Sequence, residues 1–121
     1  MKAPNVKQKQ WMSDIAEYIN MIGLGVLYHG YEERIDYQLH HVKGRSAKHN
    51  KIEIGQWYII PVPVELHDVH SNNPFNVTHH KKLFNERYGP EGDIFMDLVE
   101  MMAEDKYEIP PADVLGAIRD V

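Results

Sequence analysis

The chain has 121 residues, of which 43% are hydrophobic and 26% are charged, and its net charge is −5. This length fits one domain, and this composition excludes a wholly disordered chain. The sequence has no cysteine, which excludes disulfides and cysteine-based zinc sites, and no apolar run long enough for a transmembrane helix. The first ten residues lack an apolar segment. We therefore expect no secretory signal, no membrane partner and a cytoplasmic location.

Positive charge and histidine are both concentrated in the middle of the chain. Residues 1–39 carry a net charge of −1, residues 40–89 carry +3, and residues 90–121 carry −7. Seven of the eight histidines lie within residues 40–80. A basic segment suits nucleic acid, and histidine is both a common metal ligand and a general base. Taken singly, either feature is also explained by a solvated polar surface.

The first third of the chain predicts a helix followed by a strand. An apolar stripe with helical period is formed by Trp11, Ile15, Tyr18 and Ile22. The glycines at 23 and 25 favour the end of this helix, and residues 24–28 fit a loop or a short strand. Apolar and polar residues then alternate over residues 35–42, which predicts a strand.

The middle of the chain predicts a polar loop, a second strand and a short helix. Residues 43–50 are polar and indicate the loop, whereas residues 57–60 form the densest β-favouring run. Pro61 and Pro63 either end this strand or confine it to a sheet edge. Residues 64–71 fit a short helix, and a loop follows at residues 71–74.

The last third predicts three helices. The first covers residues 79–87, with Asn76 or Thr78 as its cap, and ends at a Gly-Pro pair. The second begins at Asp93 and has its apolar face at Ile94, Phe95, Leu98, Val99, Met101 and Met102. A last short helix is predicted over residues 112–118, after two prolines. The chain as a whole therefore predicts an α+β fold.

Three histidines from two separate elements form the candidate site. His40 and His41 end the first predicted strand, and His67 lies on the helix after the second strand. Adjacent strand residues point to opposite faces, so His40 and His41 can serve one site only if the strand ends or bulges there. We assign His40 and His67 as metal ligands and His41 as general base. His70 lies three residues after His67, on the same face of the predicted helix, and is a further candidate ligand.

These residues resemble a known family of nucleases. The stretch over residues 40–45, with Ile60-Pro61 and His67-Asp68, resembles the HNH or ββα-metal endonucleases. More narrowly, it is similar to the phage recombination-enhancement (RecA-dependent) nuclease group, whose Lys-x-Phe-x-x-x-Tyr-Gly helix end matches residues 82–89. The resemblance covers roughly residues 11–89. Residues 90–121 form an acidic helical tail outside it, within one domain of residues 1–121.

The resemblance implies both a fold and an activity. The fold is an HNH-like ββα-metal hairpin core packed with an N-terminal helix and C-terminal helices. The activity is hydrolysis of DNA phosphodiester bonds with one divalent metal ion, in a phage-encoded protein linked to DNA recombination or repair. The implied partners are DNA and a recombinase filament. Relatives use Mg²⁺ or Mn²⁺, while an imidazole site also suits Zn²⁺ or Ni²⁺ in vitro.

The resemblance also assigns residues to roles. His41 takes a proton from water, and the metal ion is bound by His40 and His67, with His80 as a further candidate because relatives place a histidine nearby. The residues expected to contact phosphates are Lys43, Arg45, Lys48, Lys81 and Lys82. Such contacts give salt-sensitive binding without sequence preference.

The chain departs from the family pattern at two places. Four cysteine or histidine ligands of a structural zinc in relatives correspond here to Leu24, Leu27, Pro63 and Leu66. We expect these four residues to pack in a small apolar core where the zinc would otherwise lie. The family's asparagine position falls near Trp57 or Tyr58, neither of which carries an amide.

Two other functions remain open from the sequence. One is a nucleic-acid-binding protein that keeps the nuclease fold without turnover. The other is a histidine-rich metal-binding interaction protein without a nucleic-acid partner. The sequence leaves open the choice between DNA and RNA, the identity of the metal and the oligomeric state.

Overall fold

One long helix, four short strands and four further helices follow one another along the described part of the chain. The computed structural model describes residues 3–32 and 36–121. The helices described are α1 (Val6–Ile22), α2 (Val64–His67), α3 (Lys81–Tyr88), α4 (Glu91–Glu104) and α5 (Ala112–Arg119). The strands described are β1 (Tyr37–His41), β2 (Lys48–His49), β3 (Ile52–Glu53) and β4 (Ile59–Pro63). The predicted α+β class is confirmed.

Helix α1 is bounded by a capping box and a glycine. The Asn5 side chain accepts a hydrogen bond from the Gln8 amide at 2.8 Å, and the Gln8 side chain accepts one from the Asn5 amide at 2.8 Å. Gly23 ends the helix with a φ of 85°, which glycine adopts without steric cost. The predicted helix and its end are confirmed. The next segment is a 3₁₀ turn at Leu24–Val26.

Strands β1 and β4 form a two-stranded antiparallel sheet in one-to-one register. His40 lies opposite Ile60, and His41 lies opposite Ile59. The predicted start of the first strand at Ile35 falls outside the described residues. The second strand continues through Pro61 and Pro63, because a two-stranded sheet consists only of edges and tolerates proline there. Helix α2 follows β4 directly. The two strands of this sheet and helix α2 therefore come in the order strand, strand, helix, with β2 and β3 between the two strands.

A small hairpin interrupts the region that the sequence predicts as a polar loop. Strands β2 and β3 pair antiparallel, with Lys48 opposite Glu53. Asn50 and Lys51 between them have φ values of 50° and 68°, as both central residues of a type I′ turn do. The loop prediction is therefore wrong over this stretch. Strands of two residues leave too little alternation to recognise in the sequence.

The two helices that flank residues 68–80 differ from the prediction. Helix α2 is shorter than predicted, and helix α3 begins and ends later. Helix α2 ends at His67 because Asp68 is extended, with φ −63° and ψ 128°, so the predicted helix over residues 64–71 is too long. Helix α3 begins after His80 without a side-chain cap. Asn76 is fully buried and organises the connection instead, so neither Asn76 nor Thr78 is the predicted cap.

Helices α4 and α5 lie close to their predicted positions. Helix α4 begins after Pro90 rather than at Asp93, and it buries Ile94, Phe95, Leu98, Val99 and Met102. Side chains of α1, β4, α4 and α5 belong to one core cluster. Trp11 in this cluster donates its indole N–H to the carbonyl of Trp57 at 3.0 Å. The tail beyond residue 90 thus shares its core with the rest of the chain.

The four apolar residues that the resemblance aligns with zinc ligands also lie in or against this core. Leu24 and Leu66 are both fully buried in the cluster, and Leu27 packs against it while partly exposed. Pro63 is buried at the end of β4. Tyr28 donates its hydroxyl to the carbonyl of Pro61 at 2.5 Å, which ties the segment after α1 to β4.

None of the helices within residues 3–32 and 36–121 has the length and apolar character needed to cross a bilayer.

Candidate metal and catalytic site

Two of the predicted metal ligands lie next to each other. His40 on β1 and His67 at the end of α2 have ring centroids 4.8 Å apart, with an angle of 64° between the ring planes. Two imidazoles on one metal ion at ordinary Zn–N distances have centroids about 4.5–5.2 Å apart, depending on the ligand angle. The observed separation therefore matches that of two ligands sharing one ion.

One nitrogen of each ring is hydrogen-bonded to a neighbouring side chain. His40 donates from Nε2 to Oε2 of Glu91 at 2.9 Å. His67 donates from Nδ1 to Oε1 of Gln38, which lies two residues before His40 on the same face of β1. These bonds leave Nδ1 of His40 and Nε2 of His67 with lone pairs. Burial lowers the pKa of His67, and the proximity of His40 lowers it further, because a proton on one imidazole disfavours a proton on the other. His67 is therefore neutral at pH 7.

Glu91 is the carboxylate of this site, and the sequence analysis did not select it. It is the first residue of α4, its side chain is 4% exposed, and its second oxygen lies 3.2 Å from the ammonium of Lys81. Burial alone would raise the pKa of Glu91. The hydrogen bond from His40 and the charge of Lys81 outweigh that effect and hold the pKa below its usual value. The sequence offers little to single out Glu91: it is a glutamate that follows Gly89-Pro90 in a segment interpreted as an acidic tail.

His41 faces away from the other two histidines. The one-to-one register of β1 with β4 contains no bulge, so adjacent residues alternate in direction. Nε2 of His41 lies 3.0 Å from Oε1 of Gln56 and donates to it, which leaves Nδ1 as the acceptor. The strand ends at His41, one of the two alternatives expected, but His41 is still paired in regular register with Ile59, so His40 and His41 do not face the same side.

The environment of His41 keeps its ring neutral. Burial lowers the pKa of His41, and the positive charge of Arg45 and the proximity of His40 lower it further, while the hydrogen bond to Gln56 acts in the opposite direction. A proton on His41 would in turn lower the pKa of His67, so the two rings are within electrostatic range of each other across β1. A neutral imidazole with an open nitrogen can accept a proton near pH 7.

Gln56 places a side-chain amide beside His41. The HNH resemblance puts the family's asparagine near Trp57 or Tyr58, and Gln56 is the residue just before them. Gln56 is 6% exposed and contacts His41 across 15 residues of chain.

The two further candidate ligands have other surroundings. His70 lies beyond the end of α2, is exposed, and has its backbone amide bonded to Asp68 at 2.9 Å. The prediction that His70 and His67 lie on one face of a helix is therefore wrong. His80 is exposed before α3, and its ring packs against His79 at 6.5 Å. Across residues 3–32 and 36–121, no three His, Asp or Glu side chains form a group that could hold a metal ion.

Four of the five predicted phosphate-binding residues line two cavities near the site. A cavity of about 340 Å³ is lined by Glu91, Lys43 and Lys81, together with Arg119 from α5. A second cavity of about 440 Å³ is lined by Gln56, Arg45 and Lys48. Each cavity thus contains one residue that is hydrogen-bonded to a site histidine. Lys82 is exposed on α3.

Comparison of the chain with protein-family models, with curated proteins and with solved structures finds no significant match in any of the three.

Proposed function

We propose that this protein is a metal-dependent DNA endonuclease that hydrolyses phosphodiester bonds with one metal ion. The observation that supports this most directly is the approach of His40 and His67 to 4.8 Å from a strand and from the helix after the second strand. A strand–strand–helix unit that carries converging imidazoles is the arrangement that the HNH resemblance implies. The proposal extends to a phage protein of recombination or repair that acts with a recombinase filament.

His40 and His67 would hold the metal ion through Nδ1 and Nε2, the nitrogens without a hydrogen-bond partner in the described contacts. A bound divalent ion neutralises charge on the phosphate and on the leaving oxygen. Mg²⁺ and Mn²⁺ are the proposed ions in cells, and two imidazoles also favour Zn²⁺ or Ni²⁺ in vitro.

His41 would accept the proton of the attacking water at Nδ1. Its hydrogen bond to Gln56 fixes the ring orientation, and its lowered pKa keeps the ring neutral. Because His40 and His41 face opposite sides of β1, the phosphodiester has to lie across the end of that strand. The basic residues in the two cavities would then bind phosphates on either side of the cleaved bond.

A nucleic-acid-binding protein without turnover is the second candidate. The observation that favours it is the separation of His41 from the His40–His67 pair by the plane of a regular strand. Such a protein would keep the basic cavities and lose the joint action of base and metal.

A plasmid-nicking assay with Mn²⁺ or Mg²⁺ tests the proposal. We expect wild type to nick DNA, His41→Ala to abolish nicking while retaining DNA and metal binding, and His40→Ala or His67→Ala to lose metal binding. His29→Ala is the matched control, because His29 is 85% exposed at its side chain and lies outside the site.

The other outcomes either refute the role of His41 or favour one of the alternative functions. Equal nicking by wild type and His41→Ala refutes the general-base role. A DNA shift at low salt without nicking by wild type selects the binding protein. Metal binding without any DNA shift selects the histidine-rich interaction protein.

A further inference from the structure

We propose that Glu91 is a positioning residue that fixes the ring of His40 and thereby raises the affinity of the His40–His67 pair for a divalent metal ion. This inference rests on the proposed function. It assigns a role to a residue of the acidic tail, outside the stretch that resembles nucleases.

The two oxygens of Glu91 have different partners, which fixes the direction of the carboxylate. Oε2 accepts from Nε2 of His40 at 2.9 Å, and Oε1 lies 3.2 Å from Nζ of Lys81. The Glu91 side chain is 4% exposed and that of His40 is 20% exposed, whereas that of Lys81 is 55% exposed. The hydrogen bond to His40 is therefore largely shielded from water, and the ion pair holds the carboxylate from its wetter side.

A buried carboxylate at this position requires a reason, because burying a charge costs free energy unless the charge is paired. Three features compensate the cost: the ring N–H of His40, the ammonium of Lys81, and the amino-terminal end of α4, which favours negative charge. The same contacts join three elements, because His40 lies on β1, Lys81 begins α3 and Glu91 begins α4. The position of α4 therefore sets the orientation of the His40 ring.

The contact has a direct effect on the ligand nitrogen. When Nε2 carries the proton and donates it to a carboxylate, Nδ1 keeps its lone pair and becomes a stronger electron donor. Histidine ligands of metals commonly have such a carboxylate behind them, and removing it typically costs about 10–100-fold in metal affinity. We expect a loss in this range for Glu91.

The test compares wild type with Glu91→Ala, Glu91→Gln and the matched control Asp93→Ala. Asp93 has the same charge in the same first turn of α4 but is exposed. Glu91→Gln keeps the side-chain volume and removes the ion pair, so it serves if Glu91→Ala does not fold. The first readout is a slowly exchanging ring N–H proton of His40 in metal-free protein by NMR, assigned with His40→Ala. The second readout is Mn²⁺ affinity by calorimetric titration.

We expect the ring proton to be present in wild type and Asp93→Ala and absent in Glu91→Ala. We also expect Mn²⁺ affinity to fall about 10-fold or more in folded Glu91→Ala or Glu91→Gln and to stay unchanged in Asp93→Ala. Wild-type Mn²⁺ affinity in both Glu91 variants overturns the positioning role alone. If wild type shows the ring proton but binds no Mn²⁺, the metal role and the proposed nuclease function fall together.

Discussion

Asn76 is expected to hold the end of α2, and with it His67, in place. Its side chain is fully buried and makes four hydrogen bonds to backbone groups. It donates to the carbonyls of Asp68 at 2.8 Å and Glu65 at 3.3 Å, and it accepts from the amides of Thr78 at 2.8 Å and His79 at 3.2 Å. These bonds fasten the segment that leaves α2 to the segment that enters α3.

The substitution Asn76→Ala removes all four hydrogen bonds. A net contribution of about 0.5–1 kcal/mol for each gives an expected loss of about 2–4 kcal/mol in the free energy of unfolding. For a chain of 121 residues this corresponds to a fall in Tm of roughly 8–16 °C. Because His67 is the last residue of α2, we also expect weaker Mn²⁺ binding at temperatures where the variant is folded.

Urea denaturation of metal-free protein measures the loss, with Asn72→Ala as the control. Asn72 is exposed in the same connection, so its replacement should change stability by no more than about 0.5 kcal/mol. A loss below about 1 kcal/mol in Asn76→Ala, or an equal loss in Asn72→Ala, would refute the argument that Asn76 organises the connection.

Three further predictions concern helix α2, the hairpin and the histidines. Leu66→Ala should lower the free energy of unfolding by about 2–5 kcal/mol in urea denaturation, because Leu66 is fully buried; a loss below about 1 kcal/mol would contradict its place in the core. Lys51→Gly should raise the thermal midpoint, because the φ of 68° at this position suits glycine better; a fall in the midpoint would argue against the type I′ turn. Metal-free protein should lose stability as pH falls below about 6.5, the usual pKa of histidine, because burial holds the folded-state pKa values of His41 and His67 below it and the unfolded chain binds more protons there. Urea denaturation above and below that pH checks this, and an unchanged or higher stability on the acid side would contradict the lowered values.

The elements that the sequence predicts well are those with a clear local signal. The apolar stripe through Trp11 and Ile15 and the glycine after it predict α1 and its end, and the periodic apolar face predicts α4. Helix boundaries that depend on the backbone conformation of a single residue are harder to predict from the sequence. The extended backbone of Asp68 shortens α2, and no residue type at that position requires it.

The candidate site was predictable only where a motif marks it. The histidine pair and His67 have a recognisable order along the chain, and the structure brings His40 and His67 together. Glu91 and Gln56 belong to no recognisable motif. Glu91 is 51 residues away from His40 along the chain, although the two side chains are in contact. That contact depends on how α4 packs beside β4. A hydrophobic pattern predicts which face of a helix is buried, but it does not identify the element against which that face packs.

Strand β4 also determines how the sheet can meet other chains. Because Val42 bonds to the carbonyl of Tyr58, alternate residues from Tyr58 onward face β1, and Ile59, Pro61 and Pro63 turn their backbone to the opposite side. The two prolines have no N–H, the amide of Ile59 bonds to Trp57, and the carbonyl of Pro61 is taken by Tyr28. Over Ile59–Pro63, which the structure describes in full, that side presents no free donor to an incoming strand. The protein is thereby protected along this edge from the strand-by-strand association that leads to aggregation.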